Sequence, residues 1–456
     1  MTLGVVILAA GQGTRMRSRL PKVLHPLAGR PLLDHAIQAA KRLSPACVVV
    51  VYGHGGERVK GAFSDPDLVW VEQKEQLGTG HAVAQALPKM QGVDQILVLY
   101  GDVPLLRDRT LTSLTTACMY TDLALLTAAF ENPIGYGRIV RDADGRIQRI
   151  VEHRDASSSE LEIKEINTGI LIAKRESLAG WVERLDSSNS QGEFYLTDVV
   201  RLAVADGVSV QSSQPEDLDE VAGVNDRSQL AHLERRFQEW QADRLMRKGL
   251  SLCDPNRFDL RGNINFGQDV YIEANVLLEG DIQLGSDVSI GANTVIRNCR
   301  IGDGVAIREN CVLENAVIGA DCTIGPFARI RPETELADNA HIGNFVEVKK
   351  SQVGSGSKIN HLSYIGDSSI GSSVNVGAGT ITCNYDGVNK HRTQIGDGAF
   401  IGSNSQLVAP VQIGAGATIG AGSTITGKAP EDTLTLSRAK QVSLKGWKRP
   451  VKKPKE

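Results

Sequence analysis

The stretch Ile318–Val348, "IGADCTIGPFARIRPETELADNAHIGNFVEV", carries an aliphatic residue at every sixth position: Ile318, Ile324, Ile330, Leu336, Ile342 and Val348. Hexads of this kind are the signature of a parallel β-helix, whose coil has three faces of six residues each, with glycines at the corners. The same position can be followed back through Phe266, Ile272, Leu278, Leu284, Ile290, Ile296, Ile301, Ile307 and Leu313, and forward to Ile413, Ile419 and Ile425. The phase slips by one residue at four places: Ile296 to Ile301, Leu313 to Ile318, Val348 to Val353 and Ile365 to Ile370. Each slip falls after a whole number of threes, as a three-sided prism with an occasional tighter corner would produce. The count gives nine coils, a column about 43 Å tall at roughly 4.8 Å per coil. The hexad positions themselves are core, so function has to lie where the period breaks. It breaks by insertion between Thr382 and Ile395, which ejects "CNYDGVNKHRTQ" as a loop.

Upstream the period is different. Up to about residue 226, strand-like runs ("VVILAA", "CVVVVYG", "QILVLYGD") alternate with helical ones ("LLDHAIQAAKRL", "HAVAQALPKM"). That alternation reads as βαβ units and a largely parallel sheet, which binds ligands outside the carboxyl ends of its strands. A charged helical run, "DRSQLAHLERRFQEWQADRLMRKG", follows and stops at Gly249. The organisation expected is an α/β domain over 1–226, a linker helix over 227–249, the β-helix over 250–436 and a basic tail over 437–456.

Composition narrows the function classes. Fifty Lys+Arg against 53 Asp+Glu leave a formal charge of −3, so there is no global electrostatic case for nucleic acid or an anionic membrane. The tail "KGWKRPVKKPKE" is a local exception, read either as a solvated end or as a surface for phosphate or a partner. Seven scattered cysteines without a C-x-x-C pair point to reduced thiols and a cytoplasmic setting, and away from a zinc site. The apolar run Val5–Ala10 is too short for a signal segment or membrane span.

Phosphate chemistry enters with "VVILAAGQGTRMRSRLPK", residues 5–22. Gly11 and Gly13 let a backbone approach an anion, and a strand-to-helix loop would add a helix N-terminus. The third glycine of a dinucleotide fingerprint is replaced by Met16, while Arg15 and Lys22 stand close by; that combination suits a nucleoside triphosphate. Asp102, ending "QILVLYGD", is either a strand-end cap or a carboxylate holding Mg²⁺ against phosphate oxygens. Gln73, Gly78 and Thr79 in "EQKEQLGTGHA" either read a base or ribose or start the next helix. Glu152 reads as an exposed strand-end charge or a ligand, and Asn225 as a helix N-cap or a ligand.

Together "LAAGQGTRMRSRLPK", "EQLGTGHA", "LYGDVPLL", "GYGRI", "EINTGI" and "VAGVNDR" resemble the sugar-1-phosphate nucleotidylyltransferase family. With the β-helix half, nearly the whole chain resembles the bacterial bifunctional N-acetylglucosamine-1-phosphate uridylyltransferase and glucosamine-1-phosphate N-acetyltransferase family. The resemblance implies an α/β Rossmann-like nucleotidylyltransferase domain followed by a left-handed parallel β-helix of hexapeptide repeats. It implies that Arg15 and Lys22 neutralise triphosphate charge, and that Leu8, Ala9, Ala10, Gly11, Gln73, Gly78 and Thr79 hold the uridine of UTP. Tyr100, Gly101 and Asp102 would line the centre, Gly137, Glu152 and Asn167 would bind the amino sugar, and Asn225 would join Asp102 on Mg²⁺. A phosphate oxygen of the sugar phosphate then attacks the α-phosphorus in line, with no protein nucleophile.

For the β-helix the resemblance implies acetyl transfer from acetyl-CoA to glucosamine-1-phosphate. An acyl transfer to an amine needs a base, and His361 in "INHLSYIGDSSIG" is the histidine expected in that role. Arg331, Lys349, Tyr364 and Asn375 match glucosamine-1-phosphate positions; two cations on adjacent coils suit one phosphate dianion. Ala378, Asn384, Tyr385, Ser403, Ala421 and Arg438 match acetyl-CoA positions. Sites between subunits, hence a homotrimer, belong to the same implication, as does UDP-N-acetylglucosamine as a precursor of envelope polymers such as peptidoglycan and lipopolysaccharide. The residue before His361, Asn360, is polar where the family often has a small one, and either bonds the ring or faces solvent. The nearest alternative keeps uridylyl transfer and makes the β-helix a structural or regulatory module; a rival of another class is a scaffolding protein without turnover.

Overall fold

The computed structural model describes residues 1–452 apart from Gln12 and His54, so the last four residues of the basic tail lie outside the described residues. The chain divides into two units, Met1–Gln238 and Glu239–Glu456.

The sheet strands of the first unit are runs of β-branched and aliphatic residues covered on both faces at its parallel centre and mixed with polar residues outside it. They are β1 (Leu3–Ala9), β2 (Cys47–Tyr52), β3 (Leu68–Glu72), β4 (Gln95–Tyr100), β5 (Leu123–Ala129), β6 (Arg138–Arg141), β7 (Ile147–Val151), β8 (Glu165–Lys174) and β9 (Gln211–Ser213). Among the described residues they make a nine-stranded sheet in the order β9-β5-β8-β4-β1-β2-β3, with β6 paired to β8 and β7. The centre is parallel, β1 lying between β2 and β4. The exception is β8, which runs antiparallel to β4 and β5 and breaks register between Asn167 and Leu171. Alternate side chains of β1 go to opposite faces: Val5 and Ile7 pack with Leu33, Ala36 and Ile37 of helix α1 (Leu32–Arg42). Val6 and Leu8 pack with Ala82, Val83 and Ala86 of helix α2 (Thr79–Ala86).

One expectation fails here. The loop after β1 does not run into an α-helix: Thr14–Met16 is a single 3₁₀ turn, Lys22–Leu24 is another, and α1 begins only at Leu32. Met16 is almost wholly buried and plugs the loop onto the core. Anion attraction at this loop therefore falls to side-chain cations and backbone N–H groups, not to a helix N-terminus. Gly13 is required twice over, by its φ of 62° and because a Cβ there would lie 2.5 Å from Lys22 Cβ.

The second unit is a parallel β-helix. One face is a ladder of eleven short parallel strands from Ser251–Leu252 to Leu434–Thr435, and a seventeen-stranded sheet wraps the other two. Eleven strands bound ten turns, one more than the hexads count, because the first and last strands carry Leu252 and Thr435 without the aliphatic-glycine signature. Ile324 and Ile342 on the first face, Ile330 and Val348 on the second, and Ile318 and Leu336 on the third all point inward into one core. The four phase slips fall at corners of the prism. Each slipped segment turns its corner on one left-handed residue, Asn298, Asn315, Lys350 or Asp367 (φ 46–48°), as the six-residue segments do, but with one residue fewer. The chain pays little for this where Asn or Asp stands, since those side chains tolerate that conformation best.

Helix α3 (Arg227–Met246) crosses the boundary between the units. In its first half Glu234 accepts from Ala28 N, while Ala242 and Leu245 belong to the β-helix core.

Candidate functional site

In the first unit the carboxyl ends of β1 and β4 open into a cavity of about 570 Å³. Leu8, Ala9, Ala10, Gly11, Lys22, Gln73, Gly78, Thr79, Tyr100 and Asp102 line it. Arg15, Tyr100, Asp102 and Asn225 line a second cavity of about 240 Å³ that shares Tyr100 and Asp102 with the first. At their junction the Lys22 ammonium pairs with the Asp102 carboxylate and donates to Asn225 Oδ1 at 3.3 Å. Asn225 does not cap α3; Asp226 Oδ1 does, accepting from Gln229 N at 2.8 Å. That leaves the Asn225 amide turned to Lys22.

The glycine turn has both of its suggested roles within reach. Thr79 opens α2 and its hydroxyl accepts from Leu196 N at 3.1 Å, while both Gly78 and Thr79 still line the cavity. Gly78 has φ 108°, and a Cβ there would stand 2.6 Å from Phe194 O. Gln73 is buried, its amide Nε2 donating to Gly78 O at 3.0 Å.

Gly137, Glu152 and Asn167 gather apart from those cavity walls. Asn167 N donates to Gly137 O at 2.9 Å, and Glu152 Oε2 lies 3.4 Å from where a Gly137 Cβ would be. Glu152 is not an exposed strand-end charge: it is half-buried, accepts from the Thr197 hydroxyl at 3.0 Å, and desolvation pushes its carboxyl above the usual range. Burial and the Glu152 and Asp102 carboxylates push the Tyr100 phenol far up, so it stays neutral. Gly169, in the register break of β8, is needed to seat Tyr100, since a Cβ there would lie 2.6 Å from its ring. Gly101 is packed tightly, its N donating to Leu8 O at 2.9 Å. Gln76 and Glu193 also line the larger cavity. Gln76 stands inside "EQLGTGHA", and Glu193 is brought in from more than a hundred residues away with no local pattern to mark it.

The second unit presents two constellations. The first is a column up one corner: Asn344, His361, Ala378, Ser403 and Ala421 stand one coil apart. Each carbonyl of the first four accepts from the coil above, through Leu362 N, Gly379 N, Asn404 N and Gly422 N. Arg438 Nη1 donates to Ala421 O at 2.9 Å and closes the column. His361 is exposed, its Nδ1 meets Asn344 Oδ1 at 2.7 Å, and Ser363 Oγ donates to its carbonyl at 2.8 Å. Asn360 does not bond the ring; its Oδ1 is buried with no hydrogen-bond partner.

The second constellation lies on the adjoining face, at its far end next to the Asp367 corner. Register stacks Arg261, Glu279, Arg297, Glu314, Arg331 and Lys349 in one column. Charges alternate up to Arg331, and Arg297 bonds Glu279 at 2.8 Å and Glu314 at 3.0 Å. Alternation then fails, because Lys349 follows Arg331 and Gly366 follows Lys349. Lys390 of the looped-out segment stands against Lys349, and with burial and Arg331 it holds the Lys349 amine below its ordinary range. Arg331 pairs sideways with Glu347 at 2.7 Å and Asp367 lies within electrostatic reach of Lys349, yet the column itself carries no carboxylate between Arg331 and Lys349, an arrangement suited to an anion. Gly366 makes room for Tyr364 Oη and Asn384 Nδ2, which would lie 2.5 and 2.8 Å from a Cβ there. Asn384 is buried and donates to Asp367 Oδ2, so it is set with Tyr364 and not with the exposed column. Tyr385 is exposed on the loop, and Asn375 faces outward from the first face beside Lys358.

Residues 5–159 match the MobA-like NTP transferase domain, residues 392–427 the bacterial transferase hexapeptide of six repeats, and residues 260–341 the GMPPB C-terminal domain. A protein of Methylococcus capsulatus named "Bifunctional protein GlmU" is 57% identical over all of this chain and 99% of its own length. Proteins of the same name from Acinetobacter baylyi and Alkalilimnicola ehrlichii are each 54% identical over 99% of this chain, and over 99% and 97% of their own lengths. The chain belongs to the bifunctional GlmU family. With GlmU relatives matched end to end, the two constellations and the two cavities all lie within the shared length. A solved structure of HddC from Yersinia pseudotuberculosis, complexed with GMP-PN, covers 51% of this chain and 99% of its own at 18% identity and a TM-score of 0.39, a likeness too remote to bear on the sites.

Proposed function

We propose that the chain acetylates glucosamine-1-phosphate with acetyl-CoA on its β-helix. Its α/β unit then transfers UMP from UTP to the resulting N-acetylglucosamine-1-phosphate, releasing pyrophosphate. The observation that carries the reading is that one chain holds two chemically different sets: a cavity ending at Lys22 and Asp102, and a β-helix carrying an exposed histidine on one face and a cation stack on the adjoining one.

In the first site Gln73, Gly78 and Thr79 hold the base and ribose, and Arg15 and Lys22 take the phosphate charge. Asp102 and Asn225 already converge oxygens on one cation, the Lys22 ammonium, which fits them to hold Mg²⁺ together with phosphate oxygens and water. Bound there, the metal supplies charge neutralisation to the transferring phosphoryl group. Glu152, Gly137 and Asn167 orient the sugar, so that its phosphate oxygen lines up with the α-phosphorus. In the second site Arg331, Lys349 and Lys390 grip the phosphate of glucosamine-1-phosphate, with Tyr364 and Asn384 beside it. His361 takes the amine proton as the nitrogen attacks the thioester carbon; the C–S bond then breaks, and coenzyme A leaves as the thiol, taking that proton back from the imidazolium. The small residues of the column, Ala378, Ser403 and Ala421, give the pantetheine arm a track that ends at Arg438.

The acetyl-transfer residues lie on two adjoining faces, with His361 and the cation column at opposite ends of one of them, which supports assembly of the site between subunits and a homotrimer. The family's place in the cytoplasm comes with the same reading; no described helix is long and apolar enough to cross a membrane. Two variants test the pair of activities. Asp102→Ala abolishes pyrophosphate release from UTP and N-acetylglucosamine-1-phosphate while thiol release from acetyl-CoA continues. His361→Ala does the reverse, losing at least ~100-fold in acetylation. Loss of both activities in either folded variant contradicts separate sites.

A further inference from the structure

A histidine serves as a base only if the right nitrogen carries the lone pair and the ring is held toward the substrate. His361 ends the strand Lys358–His361 and Asn344 ends the strand below it, His341–Asn344. The two residues are directly paired in the parallel ladder, so their side chains leave the same side one coil apart. His361 Nδ1 lies 2.7 Å from Asn344 Oδ1, an oxygen that can only accept, so the bond requires the proton on Nδ1. We infer that Asn344 is the positioning residue of the acetyl-transfer base, fixing His361 as the tautomer whose Nε2 is free to accept a proton. The inference rests on the reading of His361 as that base.

Three observations favour this over a chance contact. Both backbones are pinned: Asn344 O accepts from Leu362 N at 3.1 Å, and His361 O accepts from both Gly379 N and Ser363 Oγ. The ring cannot turn to its upper neighbour for a partner, because Ala378 stands there. Asn360, the polar neighbour in sequence, keeps its Oδ1 buried and away from the ring. An amide is also the right acceptor for a base that must release its proton again. It orients the ring without the negative charge by which a carboxylate would stabilise the imidazolium. The other titratable groups about the ring are His341, on the Asn344 strand and within electrostatic reach, and Lys358 on the ring's own strand.

The test measures thiol release by the full chain against pH, with pyrophosphate release from the first site as the control for folding. Asn344→Ala lowers kcat for acetylation about 10- to 100-fold and leaves the KM for glucosamine-1-phosphate near wild type. Asn344→Asp keeps the acceptor and adds charge, so it moves the acid limb of kcat/KM upward by about one pH unit and recovers most of the rate above that limb. A kcat for Asn344→Ala within twofold of wild type overturns the inference, as do equal losses with an unmoved acid limb in both variants. His361→Ala separates the two ideas. If it abolishes acetylation while Asn344→Ala does not, only the positioning role falls; if it retains acetylation, the base assignment falls with it.

Discussion

Glu152 shows how a carboxylate proposed to bind the sugar is set against stability. Its carboxyl is raised by desolvation, with Thr197 as a partial compensation. A carboxyl raised on folding binds protons more tightly in the native state. Stability therefore falls as pH rises from the unfolded value near ~4.3 through the raised native one. Glu152→Gln removes that penalty. It is expected to melt higher than wild type at pH 7, with the gap closing toward pH 4, and to raise the KM for N-acetylglucosamine-1-phosphate. A variant that melts lower at pH 7 would mean the charge is held by a favourable partner. At this scale the sequence was informative about residue types and silent about geometry. Lys22, Asp102 and Asn225 are 80 and 203 residues apart in pairs that touch, a convergence made only by the sheet.

The elements of the β-helix were legible because each coil repeats one physical problem. An aliphatic residue fills nearly every face and a left-handed residue turns nearly every corner, so the period prints through. Asn298 illustrates the corner: at φ 48° its Oδ1 accepts from Asp281 N one coil below, at 3.0 Å. Asn298→Ala should cost the β-helix about 1–2 kcal/mol, read as a shift of the denaturant midpoint. Asn298→Gly should cost less, since glycine supplies the conformation though not the hydrogen bond. Equal losses would assign the whole effect to the side-chain bond. The slips also explain why Asn344 was missed as the partner of His361. The slip at Lys350 makes that coil seventeen residues, so the contact is found only after the slip is counted. Lys390 gave less warning, because the insertion that carries it leaves the period altogether. Where the sequence expectation failed outright, at the loop after β1, Met16 was buried by a 3₁₀ turn that no glycine spacing encodes. Nor does the hexad period carry the hand of the coil; that came with the family.

Across the whole molecule, the aliphatic clusters separate cleanly. Those of the α/β unit draw on residues 5–221 and that of the β-helix on residues 242–429. Two cores allow two independent chemistries, and a β-helix with a broken charge column and a tethered histidine is more than a spacer. The measurement that tests this most directly is thiol release from acetyl-CoA by the purified full chain, with no UTP present, with and without glucosamine-1-phosphate. The account predicts release that depends on the sugar phosphate and is lost in His361→Ala. Absence of sugar-dependent release, in a preparation that still makes pyrophosphate from UTP and N-acetylglucosamine-1-phosphate, would contradict it and reduce the β-helix to a scaffold.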